Sequence, residues 1–419
     1  MTLDPVRIRG QFPALTSGAV FFDNPGGTQV SHQVVDRMVD YLVTKNANHG
    51  GAFRTSRESD AVLAEARQAA ADFVNAARPE EIVFGPNMTT LTLGLSRALA
   101  RQLAPGDEII VTRLDHDANI APWLLVAQDR GCRVHWVDFD VEDCTLRLEQ
   151  LEAALSAKTR LVAVGYASNA VGTINSVGRI VELAHQAGAL CFIDAVQYAP
   201  HGPIDVQALG CDFLVVSAYK FFGPHLGMLY GKYEQLDRLQ AYKVRPAPDD
   251  PPGKFETGTG NHEGIAGTLG ALEYLSWLGE TFGGEHGEHY GGTFDGRRLL
   301  LKQGMSAIRA YEMELSRALL ETLAEIPGLR IWGITDLKAL DRRVPTVSFT
   351  VEGMTPRAIA EALDAAGVYV SDGNYYALAV TERLGREGRG GMVRVGLAHY
   401  NTIEEVERLG RALQAIVSG

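Results

Sequence analysis

Apolar and polar positions repeat with two different periods along the chain from about residue 58 to residue 330. Residues 56–74 repeat apolar side chains at helical spacing, and acidic residues near the start of this segment favour a helix N-terminus. Helical patterns follow at 90–103 and 122–131. Between them lie short segments rich in Val and Ile, which predict strands at 81–85, 108–112, 132–139, 161–167, 189–195 and 213–219.

The strand segments at 161–167, 189–195 and 213–219 are continuously apolar rather than alternating. Strands that helices cover on both faces have this pattern, because neither face meets water. Strands that alternate with helices predict βαβ units around a mostly parallel sheet. This part of the chain is therefore predicted to be an α/β domain.

The C-terminal part has a different pattern. Residues 242–264 are broken by Pro and Gly and predict a loop. The segments after this loop predict two strands and two helices, at 344–351, 392–400, 355–367 and 402–417. Because 419 residues exceed one ordinary core, we predict two domains. They are a large α/β domain over 1–290, which includes the N-terminal segment, and a small α+β domain over 291–419.

Composition and charge limit the classes of partner that this protein is expected to bind. The formal net charge of -12 disfavours nucleic acid and anionic membranes as partners, because both would repel the chain. No apolar run reaches the roughly 20 residues of a membrane span, and the first residues lack the apolar stretch of a signal peptide. The four cysteines form no CxxC pair, so we expect no disulfide framework, no metal site and a cytoplasmic location.

The strongest candidate chemistry lies at the ends of two predicted strands. Asp194 follows one buried strand, and Ser217 and Lys220 end the next. Both strand ends are expected at the sheet edge where ligands bind. Pyridoxal-5′-phosphate (PLP) needs such a pair: a lysine amine for its aldehyde and a carboxylate for its pyridine nitrogen. Taken alone, such an aspartate often caps a helix, and such a lysine often extends into water.

Three further segments add to this pair. A strand, a turn and a helix meet at Met88 and Thr89, and free N–H groups at a helix N-terminus favour phosphate. His116 and Asn119 lie in the loop after another strand, where an imidazole can stack on a flat ring. Asn169 lies at a third strand end. Each feature alone is common in proteins that bind no cofactor.

Together these segments carry a resemblance to a known family. The chain resembles the class V aminotransferase group of PLP fold-type I enzymes, and most closely its cysteine desulfurase/selenocysteine lyase branch. The resemblance implies a large domain with a mostly parallel seven-stranded sheet, a small C-terminal α+β domain, and PLP as cofactor. The matching segments run in family order, at 21–29, 87–90, 116–123, 168–174, 194–197, 217–231, 254–267 and 393–402.

The resemblance also implies roles for residues around the cofactor ring. Lys220 would be the Schiff-base lysine, and Asp194 would pair with the pyridine nitrogen. Gln197 would hydrogen-bond the ring hydroxyl, and His116 would stack on the ring and take part in catalysis. Asn169 would contact both cofactor and substrate.

Further roles concern the phosphate, the substrate and a second subunit. Met88, Thr89 and Ser217 would lie at the phosphate of the cofactor. Thr259 would reach the phosphate of the neighbouring subunit, so the family implies a homodimer. Arg394 matches the arginine that binds the substrate α-carboxylate, a role suited to a bidentate guanidinium.

The chain departs from the family where desulfurases carry a nucleophilic cysteine. Tyr376 occupies that loop position, and Ser371 stands where related enzymes have an arginine. Tyr219 replaces the histidine before the Schiff-base lysine. In the segment that usually reads Asn-x-His-Arg-Gly, this chain offers Arg54 as a candidate substrate contact. All four cysteines lie at or before Cys211, far from the loop in sequence.

Several functions remain open. The first is a PLP lyase that cleaves a C–S or other Cβ–heteroatom bond of an L-amino acid without a protein persulfide; Tyr376 would then donate a proton or pack against the pocket. The second is an aminotransferase or an epimerase, since the same lysine and aspartate serve all three reactions. The third is a non-catalytic sulfur-transfer scaffold. A dinucleotide-binding enzyme is disfavoured, because no GxGxxG follows the first strand.

Overall fold

The structure is a computed structural model and describes residues 3–418. Its strands are, in chain order, β1 (Val20–Phe21), β2 (Ile82–Gly85), β3 (Glu108–Thr112), β4 (Arg133–Val137), β5 (Thr159–Gly165), β6 (Leu190–Asp194), β7 (Phe213–Ser217), β8 (Gly227–Gly231), β9 (Leu329–Trp332), β10 (Thr346–Val351), β11 (Val368–Tyr369), β12 (Ser371–Gly373) and β13 (Met392–Gly396).

The helices alternate with these strands over much of the chain. They are α1 (Pro5–Arg9), α2 (His32–Asp40), α3 (Arg54–Val74), α4 (Met88–Ala100), α5 (Ala121–Arg130), α6 (Leu148–Ala154), α7 (Val177–Gln186), α8 (Val206–Leu209), α9 (Tyr233–Arg238), α10 (His262–Phe282), α11 (Gly287–Tyr290), α12 (Gly296–Ala324), α13 (Pro356–Ala365), α14 (Leu378–Arg383) and α15 (Ile403–Ser418).

The large sheet has seven strands in the order β2-β8-β7-β6-β5-β3-β4. Strand β8 is antiparallel to both of its neighbours, and the other neighbouring pairs are parallel. The prediction of a mostly parallel seven-stranded sheet is confirmed. Since β5, β6 and β7 lie side by side and parallel, their carboxyl ends meet at one edge.

The continuous apolar pattern of the central strands has a direct structural cause. On β7, Leu214 and Val216 belong to one apolar cluster, whereas Phe213 and Val215 belong to another. Successive side chains of a strand point to opposite faces, so the two clusters lie on opposite faces of the sheet. Both faces are covered, as the sequence pattern predicts.

The C-terminal part contains a four-stranded antiparallel sheet in the order β12-β13-β10-β9. The N-terminal segment contributes to this part of the molecule, because β1 pairs in parallel with β11. Val20 and Phe22 are buried in the same apolar cluster as Val347 and Leu409. The domain boundary near residue 290 stays a prediction. The N-terminal segment, which we assigned to the large domain, pairs through β1 with a strand of the C-terminal part.

Two smaller findings concern single elements. The strand predicted over 392–400 ends earlier, at Gly396, because Leu397 donates to Pro345 and Ala398 donates instead to the Asn401 side chain. None of the helices within residues 3–418 combines the length and apolar character needed to cross a membrane.

Candidate active site

The carboxyl ends of β5, β6 and β7 open into a cavity of about 1370 Å³. Asp194 is the last residue of β6, and the turn that holds Lys220 directly follows β7. The cavity is lined by nine of the residues that the sequence predicts for the site: Met88, Thr89, His116, Asn169, Asp194, Gln197, Lys220, Tyr376 and Arg394. Residues from segments far apart in the sequence therefore meet in one place.

Lys220 projects from a single 3₁₀ turn after β7. Its Nζ donates to the carbonyls of Pro25 and Gly26, the latter at 2.9 Å, so the N-terminal segment forms one wall beside the amine. Burial, together with the smaller effect of the Arg394 charge, lowers the pKa of Lys220 to about 7, and the nearby carboxylates of Asp23 and Asp194 oppose the shift. A large fraction of the amine is thus neutral near pH 7, as a nucleophile or base requires.

Asp194 is buried at the cavity floor with 7% of its surface exposed. Its Oδ1 accepts a hydrogen bond of 2.9 Å from the Val196 N–H. Burial raises the pKa of Asp194 to about 6, while that hydrogen bond and the charge of Lys220 oppose the rise. At neutral pH Asp194 is therefore mostly a carboxylate.

Asp115 is a second buried carboxyl at the same floor, and the sequence analysis did not single it out. Its Oδ2 accepts from the Thr112 hydroxyl at 2.6 Å. Burial, together with the smaller effect of the Asp194 charge, raises the pKa of Asp115 to about 8, while hydrogen bonds from Thr112 and Asn119 oppose the rise. A Cβ on Gly165 would lie 2.4 Å from the Asp115 Oδ1, so the close approach requires glycine there. In the sequence, the feature that could have pointed to Asp115 is its position directly before His116.

His116 has a defined tautomer. Its Nδ1 accepts a 3.0 Å hydrogen bond from the Ala118 N–H, which leaves the proton of the neutral ring on Nε2. Burial lowers the pKa of His116 to about 4, and the charges of Lys220 and Arg394 add to this. Tyr376 stacks on one face of the imidazole, with ring centroids 5.6 Å apart and planes at 17°.

Helix α4 begins at the cavity. Asn87 is its N-cap, and its side chain accepts from the Thr90 N–H at 2.9 Å. The Met88 N–H donates to the hydroxyl of Ser217 at 3.1 Å, so the end of β7 is tied to the start of α4. Thr89 is exposed towards the cavity at this helix terminus, where an anion is favoured.

Arg394 lies on β13 and is 4% exposed. Its Nη1 donates to the Asn169 carbonyl at 3.0 Å, and its Nη2 lies 3.5 Å from the Asp23 Oδ1. Among residues 3–418, the Nε of Arg394 and the Oδ1 of Asn169 are buried atoms without a hydrogen-bond partner. Both residues line the cavity, and their unpartnered polar atoms leave hydrogen-bonding capacity for a polar ligand.

The remaining ring-contact candidate is Gln197. It is buried, and its Nε2 donates to the Thr346 hydroxyl at 2.9 Å. This bond leaves the side-chain carbonyl and one N–H hydrogen of the amide for another partner.

These residues fit PLP. The cavity offers an amine with lowered pKa on Lys220, a carboxylate on Asp194, a helix N-terminus at Thr89 and the imidazole ring of His116. Those four groups match the aldehyde, the pyridine nitrogen, the phosphate and the ring of the cofactor.

Comparisons with known proteins agree with this geometry. The family model "Aminotransferase class-V" matches residues 20–289 and 292–409. The aminotransferase-like protein FGM3 of Gibberella zeae is 36% identical over 98% of both chains. A cysteine desulfurase of Synechococcus elongatus is 35% identical over 99% of this chain, which spans 64% of that protein. The apo structure of a cysteine desulfurase from Thermococcus onnurineus NA1 superposes with a TM-score of 0.86 over all of both chains, at 28% identity.

The chain belongs to the class V aminotransferase family. Its fold is the PLP fold-type I architecture of the cysteine desulfurase-like branch. The family membership indicates that the protein is a PLP-dependent enzyme. The resemblance and the fold class that the sequence predicts are confirmed.

The loop over 374–376 contains Tyr376, the position at which the resemblance places the desulfurase cysteine. The loop Asn374–Tyr376 is held at the cavity by hydrogen bonds: Asn169 Nδ2 donates to the Tyr375 carbonyl at 2.9 Å, and the Asp117 N–H donates to the Tyr376 carbonyl at 2.7 Å. Tyr375 and Tyr376 both have left-handed backbones, with φ of 55° and 59°. For tyrosine this conformation costs free energy, and such strain often accompanies functional loops.

The cysteines lie elsewhere. Cys144, Cys191 and Cys211 are buried and Cys132 is half-buried; all four are free thiols, and none is among the cavity-lining residues of the described chain. Burial raises the pKa of each thiol, which suppresses the reactive thiolate.

Three predicted site residues, Thr259, Arg54 and Ser217, do not line the cavity of this chain. Thr259 lies in an exposed loop before α10, and Arg54 is the exposed first residue of α3, where it pairs with Glu58 at 3.8 Å. Ser217 does not face the cavity directly but contacts it through Met88. The roles of Thr259 and Arg54 stay predictions.

Proposed function

We propose that this chain holds PLP on Lys220 and cleaves a Cβ–heteroatom bond, in the simplest case a C–S bond, of an L-amino acid without forming a protein persulfide. The observation that carries the proposal is one cavity that contains Lys220, Asp194 and Arg394 together with Tyr376, while the four cysteines lie outside its lining. Free cysteines also fit the reducing cytoplasm that we propose as its location.

The residues around the proposed cofactor have separate roles. PLP, when bound, draws electrons from the α-carbon of the substrate through its protonated ring. The Asp194 carboxylate would hold the proton on the pyridine nitrogen, and His116 would cover one face of the ring. The N-terminus of α4 at Met88 and Thr89, tied to Ser217, would bind the phosphate.

The substrate would be held from the other side. The Arg394 guanidinium would bind the α-carboxylate through its free Nε, and the Asn169 Oδ1 would accept from a polar group of the ligand. The Lys220 amine, whose pKa burial lowers to about 7, would remove the α-proton at neutral pH. Tyr376 would then protonate the leaving group or limit access of water to it.

An aminotransferase is the second candidate, because the same lysine and aspartate support amino transfer and one relative carries the name aminotransferase-like. A panel of amino acids with the PLP-loaded enzyme separates the two. Elimination releases pyruvate and ammonia, with sulfide from cysteine itself, and keeps PLP unchanged. Transfer yields a keto acid and pyridoxamine phosphate. If pyridoxamine phosphate accumulates without ammonia, the lyase proposal is wrong; Lys220→Ala is the inactive control.

We also propose a homodimer with Thr259 contributed across the interface. Two features support this: Thr259 is exposed and outside the cavity of its own chain, and α2 with the following turn exposes apolar side chains at Val39, Leu42 and Val43. Light scattering measures the mass, and Thr259→Ala should weaken PLP retention in the dimer. A fully active monomer would contradict this arrangement.

A further inference from the structure

The N-terminus of α4, where we expect the phosphate of the cofactor, has few free donors. The Met88 N–H donates to the Ser217 hydroxyl at 3.1 Å, and the Thr90 N–H donates to the Asn87 side chain at 2.9 Å. Of the first three N–H groups of this helix, only that of Thr89 has no acceptor within residues 3–418. A phosphate monoester carries about 1.5 to 2 negative charges at pH 7, whereas a helix N-terminus corresponds to about half a positive charge. A further donor with positive charge would therefore stabilise the phosphate.

Four of the side chains that line the cavity in the described chain can carry a positive charge: Lys220, Arg394, His116 and His225. The Lys220 amine would be joined to the aldehyde of PLP. Arg394, on β13, donates to the Asn169 carbonyl at 3.0 Å and would bind the substrate. His116 is neutral near pH 7, because burial lowers its pKa to about 4. Of these four side chains, His225 is the one left for the phosphate.

The fold places His225 beside the start of α4. His225 lies two residues before Gly227, the first residue of β8, which pairs with Ser217 at the end of β7 and with Gly85 at the end of β2. A Cβ on Gly227 would lie 2.4 Å from the backbone carbonyl carbon of Asn87, the N-cap of α4. The entry to β8 therefore packs directly against the N-terminus of α4.

The ring of Tyr219 orients His225. The Ala218 N–H donates to the Leu226 carbonyl at 2.7 Å, so the pairing of β7 with β8 continues past the ends of both strands. Tyr219 and His225 follow as the next pair, and their rings stack with centroids 5.1 Å apart and planes at 24°. Tyr219 replaces the histidine that the resemblance places before Lys220. In this chain an imidazole from the opposite strand lies on the ring at that position.

Both ring nitrogens of His225 are free for a ligand. Within residues 3–418 the imidazole makes no hydrogen bond and no ion pair, and the stack on Tyr219 is its only contact with another ring. His225 is exposed and lines the cavity. An imidazole can donate from both nitrogens and carry a positive charge, which are the properties that a phosphate ligand requires.

We propose that His225, held by its stack on Tyr219, binds the phosphate of the cofactor as a cationic donor beside the N-terminus of α4. The proposal rests on the proposed function for the presence of PLP in this cavity. The Thr89 N–H and hydroxyl would bind the phosphate from the helix, and His225 would bind it from the entry to β8. This contact would add the charge that the helix terminus does not supply.

The first test compares PLP with pyridoxal, which lacks the phosphate, in the apo form of the full chain. Absorbance titration gives the Kd of each compound. We expect His225→Ala to weaken PLP binding about tenfold and to leave pyridoxal binding unchanged, as for the loss of one charge-assisted hydrogen bond. The absorption maximum of bound PLP should stay the same, because the ring contacts remain. An equal loss for both compounds, or no loss for either, would overturn the proposal.

Further variants test the charge. His225→Lys keeps a cation and should retain most of the preference for PLP over pyridoxal, whereas the neutral side chain of His225→Gln should lose most of it. His289→Ala is the matched control, because His289 is also exposed and contacts a tyrosine ring, at 4.7 Å from Tyr290, but does not line this cavity. Full retention in His225→Gln together with loss in His225→Lys would contradict a charged contact.

The last test separates this contact from the chemistry of Lys220. Pyridoxine 5′-phosphate and pyridoxine have no aldehyde and bind without a Schiff base, so calorimetry with the apo protein measures the phosphate contact alone. We expect His225→Ala to reduce the preference for the phosphorylated compound about tenfold. If this holds while PLP forms no imine with the parent protein, the proposed function fails and the contact stands. If the preference is the same with and without His225, the contact is wrong whatever Lys220 does.

Discussion

The cavity has two sides that follow the class V family to different degrees. The cofactor side, formed by Met88, Asp194, Ser217 and Lys220, holds the groups that we propose for binding PLP. On the loop side, residues 371–376, this chain has Ser371 and Tyr376 where the resemblance places the arginine and the cysteine of desulfurases. We propose that the cofactor chemistry is kept while the pocket for the substrate side chain has changed, since the cofactor does the difficult chemistry and the pocket selects the bond.

Of the substitutions considered, removal of the Arg394 guanidinium should have the largest effect on KM. Arg394→Ala should raise KM strongly, by about 2–5 kcal/mol in transition-state or binding free energy, because a buried charge pair is lost. The cofactor spectrum should stay nearly unchanged, since the guanidinium binds the substrate and not PLP. Arg383→Ala, whose partner is Asp138 outside the cavity, is the control. Normal KM values in Arg394→Ala would place the clamp elsewhere.

The cofactor side can be tested through its pH dependence. Capture of PLP by the apo protein requires the neutral amine of Lys220, whose pKa burial lowers from 10.5 to about 7. The capture rate should therefore rise about tenfold per pH unit below about pH 7 and level off above it. Stopped-flow absorbance measures this rate. A rate that keeps rising to about pH 10 would mean that Lys220 has the pKa of an ordinary exposed lysine.

The loop side can be tested at Tyr376. We expect Tyr376→Phe to lower kcat about tenfold with little change in KM, because a general acid is lost and water partly replaces it at this exposed position. Tyr375→Phe is the matched control, since the Tyr375 hydroxyl donates to the Met392 carbonyl. An unchanged kcat in Tyr376→Phe would leave this tyrosine as a packing residue.

The smallest effect is expected at the cysteines. Replacement of Cys132, Cys144, Cys191 and Cys211 by Ala should leave kcat unchanged if the fold survives, because none of them lines the cavity. Mass spectrometry of the parent protein during turnover should find no persulfide. A mass gain of one sulfur atom on any of the four, removed by thiol, would contradict the distinction between the two sides of the cavity.

The cofactor side was predictable from the sequence, and much of the loop side was not. Asp194 and Lys220 each follow a buried apolar strand, and parallel neighbouring strands bring their ends together. Glu387 gave no signal, because its place in the cavity depends on hydrogen bonds to Asn374 and Thr381. The raised pKa of Asp115 depends on its burial beside Asp194 and Gly165. These contacts form only in the folded chain and cannot be recognised from the sequence.

Short or irregular elements were also missed. Strands β1 and β11 have two residues each, too few for any periodic signal, and they pair across most of the chain length. The early end of β13 depends on hydrogen bonds from Leu397 and Ala398 to partners that the apolar pattern of the segment does not reveal. Long, continuously apolar strands such as β5 to β7 were predicted correctly because burial on both faces constrains every residue.

The proposed function depends most directly on the attachment of PLP to Lys220. Borohydride reduction of the PLP-loaded protein, followed by proteolysis and mass spectrometry, locates the lysine that carries the pyridoxyl group. We expect one modified peptide, which contains Lys220, and no stable adduct in Lys220→Ala. A pyridoxyl group on another lysine of the folded protein, or a reducible adduct that persists in Lys220→Ala, would contradict it.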